Sequence, residues 1–345
     1  MTAKKKALVI CPGRGTYNKD ELGYLKRFHA DKKELIAAID DYRAQHNQIT
    51  VSDLDNRASF SLSEHSRGDN ASPLIYACAY ADFLSINRDK YDIAAVTGNS
   101  MGWYIALACA GAASNDNALH IVNTMGTLMQ ERLTGGQMIY SLVDENWKKI
   151  DGRREYLHKL MADINKQEGC ALYTSIELGG MLVFGGNEKA LSSLEKALKP
   201  EGRFPMKLQN HAAFHTPLLT PISEHARGIM DDALFQHPEV PLIDGRGAIW
   251  SPNATDRHAI WSYTLGHQVH RYYDFTKAVQ VGVKEFAPDC VIILGPGATL
   301  GGAVAQSLIG INWQGWQSKE DFAARQKSDP YILAMGMEEQ RRLTL

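Results

Sequence analysis

Gly98-Asn99-Ser100-Met101-Gly102 follows the apolar run 93–96 and precedes a stretch of small and apolar residues at 103–113. A Gly-x-Ser-x-Gly between a strand and a helix is the pattern of a nucleophile elbow. The turn is so tight that small residues must flank the serine, and its hydroxyl stands exposed above the sheet edge. The helix beyond it supplies free backbone N–H groups and the positive end of a dipole, both of which favour a developing oxyanion. A plain tight turn would use the same glycines. The strand before and the helix after favour Ser100 as a nucleophile.

Strands and helices alternate around this stretch. Residues 7–11 form a short buried strand that ends in Pro12-Gly13-Arg14-Gly15, and 21–41 show helical spacing through Leu25, Phe28, Leu35, Ile36 and Ile39. The polar segment 52–72 is expected as a loop or lid, with helices at 73–86 and 118–133. This order predicts parallel strands joined by helices. From Gly135 the pattern changes to strand 138–143, helix 153–166, strands 171–176 and 181–185, helix 188–198 and strand 204–209. That is β-α-β-β-α-β, the ferredoxin-like order. The α/β pattern resumes with 291–294, a strand-to-helix turn at Gly295-Pro296-Gly297, and a helix over 299–309. The expected fold is therefore α/β: a large α/β-hydrolase-like domain with a parallel sheet (1–134 and 210–345) and an inserted ferredoxin-like subdomain (135–209). The tail from Trp313 carries no assignable pattern.

Composition bounds the function. The chain has 345 residues, 44% hydrophobic and 22% charged, with a formal net charge of −2. That balance gives no reason to expect nucleic acid or an anionic membrane as partner. The five cysteines lie singly, mostly in apolar runs, and read as buried thiols of a reducing compartment, with no metal-site spacing. The run 7–11 is too short for a signal-peptide core and no segment is long enough to span a bilayer, so a cytoplasmic protein is expected.

A serine nucleophile needs a base, and histidine is the usual one. Of twelve histidines, His29, His46, His65 and His158 fall in polar settings and read as solvated. His215, in Ala212-Ala213-Phe214-His215-Thr216-Pro217, competes with His211, His267 and His270, and chemistry alone does not separate them.

From Ala7 to about Leu308 the chain resembles the malonyl-CoA:acyl-carrier-protein transacylase family, which includes the acyltransferase domains of polyketide and fatty-acid synthases. Pro12-Gly13-Arg14-Gly15 resembles the family's Pro-Gly-Gln-Gly. Gly98–Gly102 with Trp103-Tyr104-Ile105-Ala106-Leu107 resembles Gly-His-Ser-Leu-Gly-Glu-Tyr-Ala-Ala-Leu, and Leu128-Met129-Gln130 matches the helix after the elbow. Ala213-Phe214-His215-Thr216-Pro217-Leu218-Leu219 resembles Pro-Phe-His-Ser-Pro-Leu-Met. Gln268, seven residues before Phe275, lies where the family has Gln-Leu, and Leu294-Gly295-Pro296-Gly297 resembles Val-Gly-Pro-Gly.

The resemblance implies a two-step acyl transfer with Ser100 as nucleophile and His215 as base. It also implies an oxyanion site from the backbone N–H groups of Met101 and Arg14, and the Gln268 carbonyl as the group that orients the histidine. Acyl-CoA is the implied substrate and an acyl carrier protein the implied partner, with no tightly bound cofactor or metal.

The departures bear on the acyl group. The family's carboxylate-binding arginine falls at Met125, before Gly126, and a buried carboxylate without a cation is costly. Arg14 stands where the family has glutamine, and either supplies that charge from the other side or faces solvent or the CoA phosphates. Phe214 beside the histidine is typical of members that prefer the unbranched malonyl unit. Asn99 and Trp103 replace the usual histidine and glutamate, while Ser175 and Glu177 stand where asparagines commonly face the site. Together these suggest altered acyl specificity with the chemistry kept. The alternatives are an acyl-thioester hydrolase on the same scaffold, an α/β-hydrolase esterase, which would need a triad carboxylate, and a non-catalytic docking subunit, which would need neither Ser100 nor His215. Lys148, Lys149, Arg153 and Arg154 read as a solvated charged face, or as contacts for an acidic carrier protein.

Overall fold

In the computed structural model, which describes residues 3–345, two sheets organise the chain. The strands are β1 Lys5–Cys11, β2 Tyr91–Gly98, β3 Gly136–Ser141, β4 Leu172–Leu178, β5 Met181–Gly186, β6 Met206–Leu208, β7 Leu242–Ile243, β8 Ile249–Trp250, β9 Tyr273–Asp274, β10 Cys290–Ile293 and β11 Ile332–Ala334. The larger sheet has the order β11-β10-β1-β2-β7-β8 and is parallel except for the β7–β8 pair. Its central strand β1 is buried on both faces, as a parallel sheet covered by helices requires. Ala7, Val9 and Cys11 pack into one core, and Leu8 and Ile10 into a second core on the opposite face.

The smaller sheet has the order β6-β3-β5-β4-β9. Its first four strands are the ferredoxin-like unit, with antiparallel pairings β3–β5, β3–β6 and β4–β5. The fifth, β9, comes from the large domain and pairs parallel to β4, so the two units share a sheet edge. The period-2 alternation of strands sorts the side chains. Met138, Tyr140, Leu182 and Phe184 pack under helices Arg153–Asn165 and Glu188–Ala197. Gln137, Ile139, Met181 and Val183 point the other way, into a cavity over the elbow.

Four expectations need correction. The helical stretch 21–41 is broken into Tyr24–Phe28 and Lys33–Gln45. The chain bends there to bring Tyr24 and His29 onto buried Asp82, at 2.8 Å each. The polar segment 52–72 is not a lid. It holds helices Val51–Asp55 and Leu62–His65 and the first turn of Gly68–Ser85, with Asp55, His65, Asn70 and Ser72 turned inward. His29 and His65 are correspondingly buried and not solvated. The tail also folds: β11 adds an edge to the large sheet, and Arg341, in the last helix (Glu338–Thr344), ion-pairs with Asp82. Among the described residues no helix is long and apolar enough to cross a membrane.

Candidate active site

The carboxyl ends of β1 and β2 converge below the open face of the smaller sheet, the usual place for a site in an open parallel sheet. Ser100 leaves β2 with φ of 55°, a left-handed conformation that a non-glycine residue rarely adopts and that the elbow enforces. The turn admits no side chain at its two glycines. A Cβ on Gly98 would collide with the Gly102 backbone, and one on Gly102 with the Cys11 carbonyl.

Ser100 Oγ lies 2.7 Å from His215 Nε2. His215 Nδ1 lies 2.7 Å from the Gln268 carbonyl oxygen. A carbonyl only accepts, so Nδ1 carries the proton and Nε2 is left to accept from the serine. The acceptor comes from a helix end. A π-helical turn, Tyr263–His267, runs into the short helix Gln268–His270, whose last carbonyls have no partner in the helix. Those of Gln268 and Val269 take His215 Nδ1 and the His215 backbone N–H. The Gln268 side chain closes the loop by donating to the Ser100 carbonyl at 2.7 Å. Burial, partly offset by the bond to Gln268, lowers the His215 pKa to about 4. The imidazole is therefore neutral and able to accept a proton at pH 7.

Met101 and Arg14 line the same cavity as Ser100, and their backbone N–H groups make no hydrogen bond among the described residues. They are free donors beside the nucleophile. Asn99, Met125 and Phe214 also line the cavity. The Asn99 Oδ1 is buried without a partner, and Met125 is buried in the wall. Three sequence-picked positions lie elsewhere. Trp103 is buried beneath the elbow, donating to Thr264 Oγ1 at 2.9 Å. Glu177 faces away, in a bidentate pair with Arg154, because β4 side chains alternate and Ile176 and Leu178 take the cavity side. Ser175 sits behind the wall. The altered pocket is thus narrower than the sequence suggests: Arg14, Asn99 and Met125, not Trp103 or Glu177. Arg153 is likewise paired, with Glu201 at 2.8 Å.

Sequence reasoning missed a buried relay behind the base. His211 Nδ1 lies 2.8 Å from Gln137 Oε1, Gln137 Nε2 donates to Ser175 Oγ at 2.6 Å, and Ser175 donates to the Phe214 carbonyl at 2.7 Å. This chain ties β3 and β4 to the residue preceding His215. Burial, with the Arg14 charge second, pushes the His211 pKa down to about 3. His211 therefore serves as a neutral link and not as a rival base. Its only sequence signal was its spacing, four residues before His215.

The fold and site define an α/β protein built around a serine–histidine dyad whose third member is a main-chain carbonyl. Both sequence and fold are similar to malonyl-CoA:acyl-carrier-protein transacylases and to the acyltransferase domains of polyketide synthases. The chain is 22% identical over 236 residues to the malonyl CoA-acyl carrier protein transacylase of Bacillus subtilis, a match covering 68% of this chain and 71% of that protein. It is 23% identical over 308 residues to a phenolphthiocerol synthesis type I polyketide synthase of Mycobacterium marinum, covering 88% of this chain but 14% of that much longer protein. The malonyl-CoA:acyl carrier protein transacylase of Xanthomonas oryzae pv. oryzae superposes with a TM-score of 0.77 at 18% identity, over 100% of this chain and 98% of that one. A malonyl-transacylase solved in complex with a type II polyketide synthase acyl-carrier protein superposes with a TM-score of 0.72 at 19% identity, over 88% and 93% of the two chains. No family model matches the chain. The family resemblance read from the sequence therefore stands on both relatives and fold.

Proposed function

We propose that this chain transfers an acyl group from a CoA thioester to the phosphopantetheine thiol of an acyl carrier protein, through an acyl-serine on Ser100. The observation that carries the reading is the dyad: Ser100 Oγ at 2.7 Å from His215 Nε2, with Nδ1 held by the Gln268 carbonyl. His215 takes the Ser100 proton as Oγ attacks the thioester carbonyl carbon. The free N–H groups of Met101 and Arg14 receive the oxyanion. The C–S bond then breaks, and the imidazolium returns its proton to the departing CoA thiolate. In the second half the carrier thiol gives its proton to His215 and attacks the acyl-serine, restoring the serine hydroxyl. The malonyl-transacylase solved with its carrier protein supports this choice of acceptor. A cytoplasmic setting fits the free cysteines.

Intact-mass measurement after mixing with malonyl-, acetyl- or hexanoyl-CoA tests the first half. The expected result is a one-acyl mass increase on the wild type and none on Ser100→Ala. Addition of a holo acyl carrier protein should then move the acyl mass to the carrier. Release of free CoA with no carrier acylation would replace transferase by hydrolase. No adduct from any donor would overturn the reading.

A further inference from the structure

We propose that the side chain of Arg14 receives a free carboxylate on the acyl chain, so that this chain takes malonyl-type, carboxylate-bearing thioesters although Met125 fills the position of the family's arginine. The proposal rests on the acyl-transfer reading and names the substrate class of that same site.

The charge balance of the cavity is the first ground. A space of about 310 Å³ holds Ser100 and His215, and no aspartate or glutamate lines it. Two cations do, Arg14 and Arg203. Arg203 is exposed, in contact with the Phe204 ring, so water screens it. Arg14 is set partly into the wall with its Nε buried, so water screens its charge less than that of Arg203.

The second ground is that Arg14 is under-partnered. One bond, from Nη2 to the Ser66 carbonyl at 2.6 Å, and one ring face, Phe214 at 5.6 Å, are the hydrogen bond and ring contact its guanidinium makes among the described residues. Its Nε is buried with no acceptor, and Nη1 makes no hydrogen bond. No carboxylate of the described residues lies within ion-pair distance of it. The nearby Asp69 is engaged by Arg67 at 2.8 Å. A guanidinium taken out of water without a counter-charge is unfavourable unless an anion arrives. Burial already lowers its pKa to about 10, with Asp69 acting weakly in the other direction.

The third ground is position. Arg14 follows β1 and lines the cavity of Ser100, and its side chain reaches the Ser66 carbonyl and the start of helix Gly68–Ser85. A Cβ on Gly68 would stand 2.7 Å from the Gly126 carbonyl and 3.4 Å from Arg14 Nη1. The guanidinium therefore reaches the same helical turn, Met125–Gly126 of helix Asn115–Glu131, on which the family's arginine would sit. The charge is delivered to that turn from the loop. Guanidinium also matches a carboxylate in two-pronged geometry, which the ammonium of lysine does not.

Acylation rates of the wild type, Arg14→Gln and the double variant Arg14→Gln/Met125→Arg, measured with malonyl-CoA and acetyl-CoA, test this. Arg14→Gln should lower the ratio of malonyl to acetyl acylation about 100-fold, the scale of a charged hydrogen bond, whatever change the two donors share. The double variant should recover malonyl acylation. Labelling of Ser100 by an uncharged fluorophosphonate, still occurring in Arg14→Gln, would show that the variant is folded with its nucleophile intact. Equal loss of malonyl and acetyl acylation would overturn the proposal, as would wild-type acylation by acetyl-CoA but not malonyl-CoA. Absence of acylation from either donor, with Ser100 still labelled, would instead overturn the acyl-transfer reading on which it rests.

Discussion

His215 combines a left-handed backbone, φ of 57°, with burial deep enough to hold its pKa near 4. Below that value the imidazole is protonated and cannot accept the serine proton, so activity is present above the lowered pKa and lost as pH falls through it. The rate of Ser100 labelling by a fluorophosphonate should be flat from pH 8 to about 5 and fall with a midpoint near 4. A midpoint near about 6.5 would mean that the ring is solvated. Ser100 was legible in the sequence because an elbow fixes the residue types at three positions within five, Gly98, Ser100 and Gly102. His215 was legible only through family resemblance, since any of four histidines satisfied the chemistry. Gln268 acts through a carbonyl that every residue owns, so no residue type marks it. The direction of the Arg14 side chain was equally unreadable, because its guanidinium lies against Ser66 and Gly68, far from it in sequence.

The elements were read well where apolar residues carry a period. The β-α-β-β-α-β order of the subdomain emerged because each strand alternates and each helix has one apolar face. Segment 52–72 hides its helices from such a reading because several of its polar side chains, Asp55, His65, Asn70 and Ser72, are spent inside the protein. Helix Gly68–Ser85 contains Pro73, which has no N–H to give to the Asp69 carbonyl four residues back. Arg43 supplies the missing donor, at 2.7 Å to Asp69 O. It also reaches Ile49 O at 2.5 Å, Asn123 Oδ1 at 2.8 Å and Asn70 Oδ1 at 2.9 Å. One fully buried guanidinium thus joins helices Lys33–Gln45, Gly68–Ser85 and Asn115–Glu131. Arg43→Met should leave several buried acceptors unmatched and lower the unfolding free energy by at least about 3 kcal/mol. Urea denaturation measures it. A loss under about 1 kcal/mol would mean that water or neighbouring side chains replace the donors.

At the scale of the whole molecule the cavity is a seam between two units, roofed by the smaller sheet and floored by the elbow, and the relay from His211 through Gln137 and Ser175 crosses it. Sealing that seam has a consequence in acid. His211 is held neutral in the folded protein, with its pKa near 3, whereas in the unfolded chain it titrates near about 6.5. The unfolded state therefore binds more protons over this range, and stability falls as pH drops below the unfolded value and through the folded one. Between pH 7 and pH 5 this single group should remove about 2 kcal/mol. His215 acts in the same direction, while Asp55 and Asp274, whose pKa values burial raises, act in the opposite one. The total slope therefore mixes signs, and the difference between wild type and a His211→Gln variant isolates the term. Urea midpoints at pH 7, 6 and 5 should show the variant losing about 2 kcal/mol less than the wild type over that span, its amide still able to bond Gln137. Parallel slopes would show that His211 gains its proton in the folded state at little cost, and that the seam admits water.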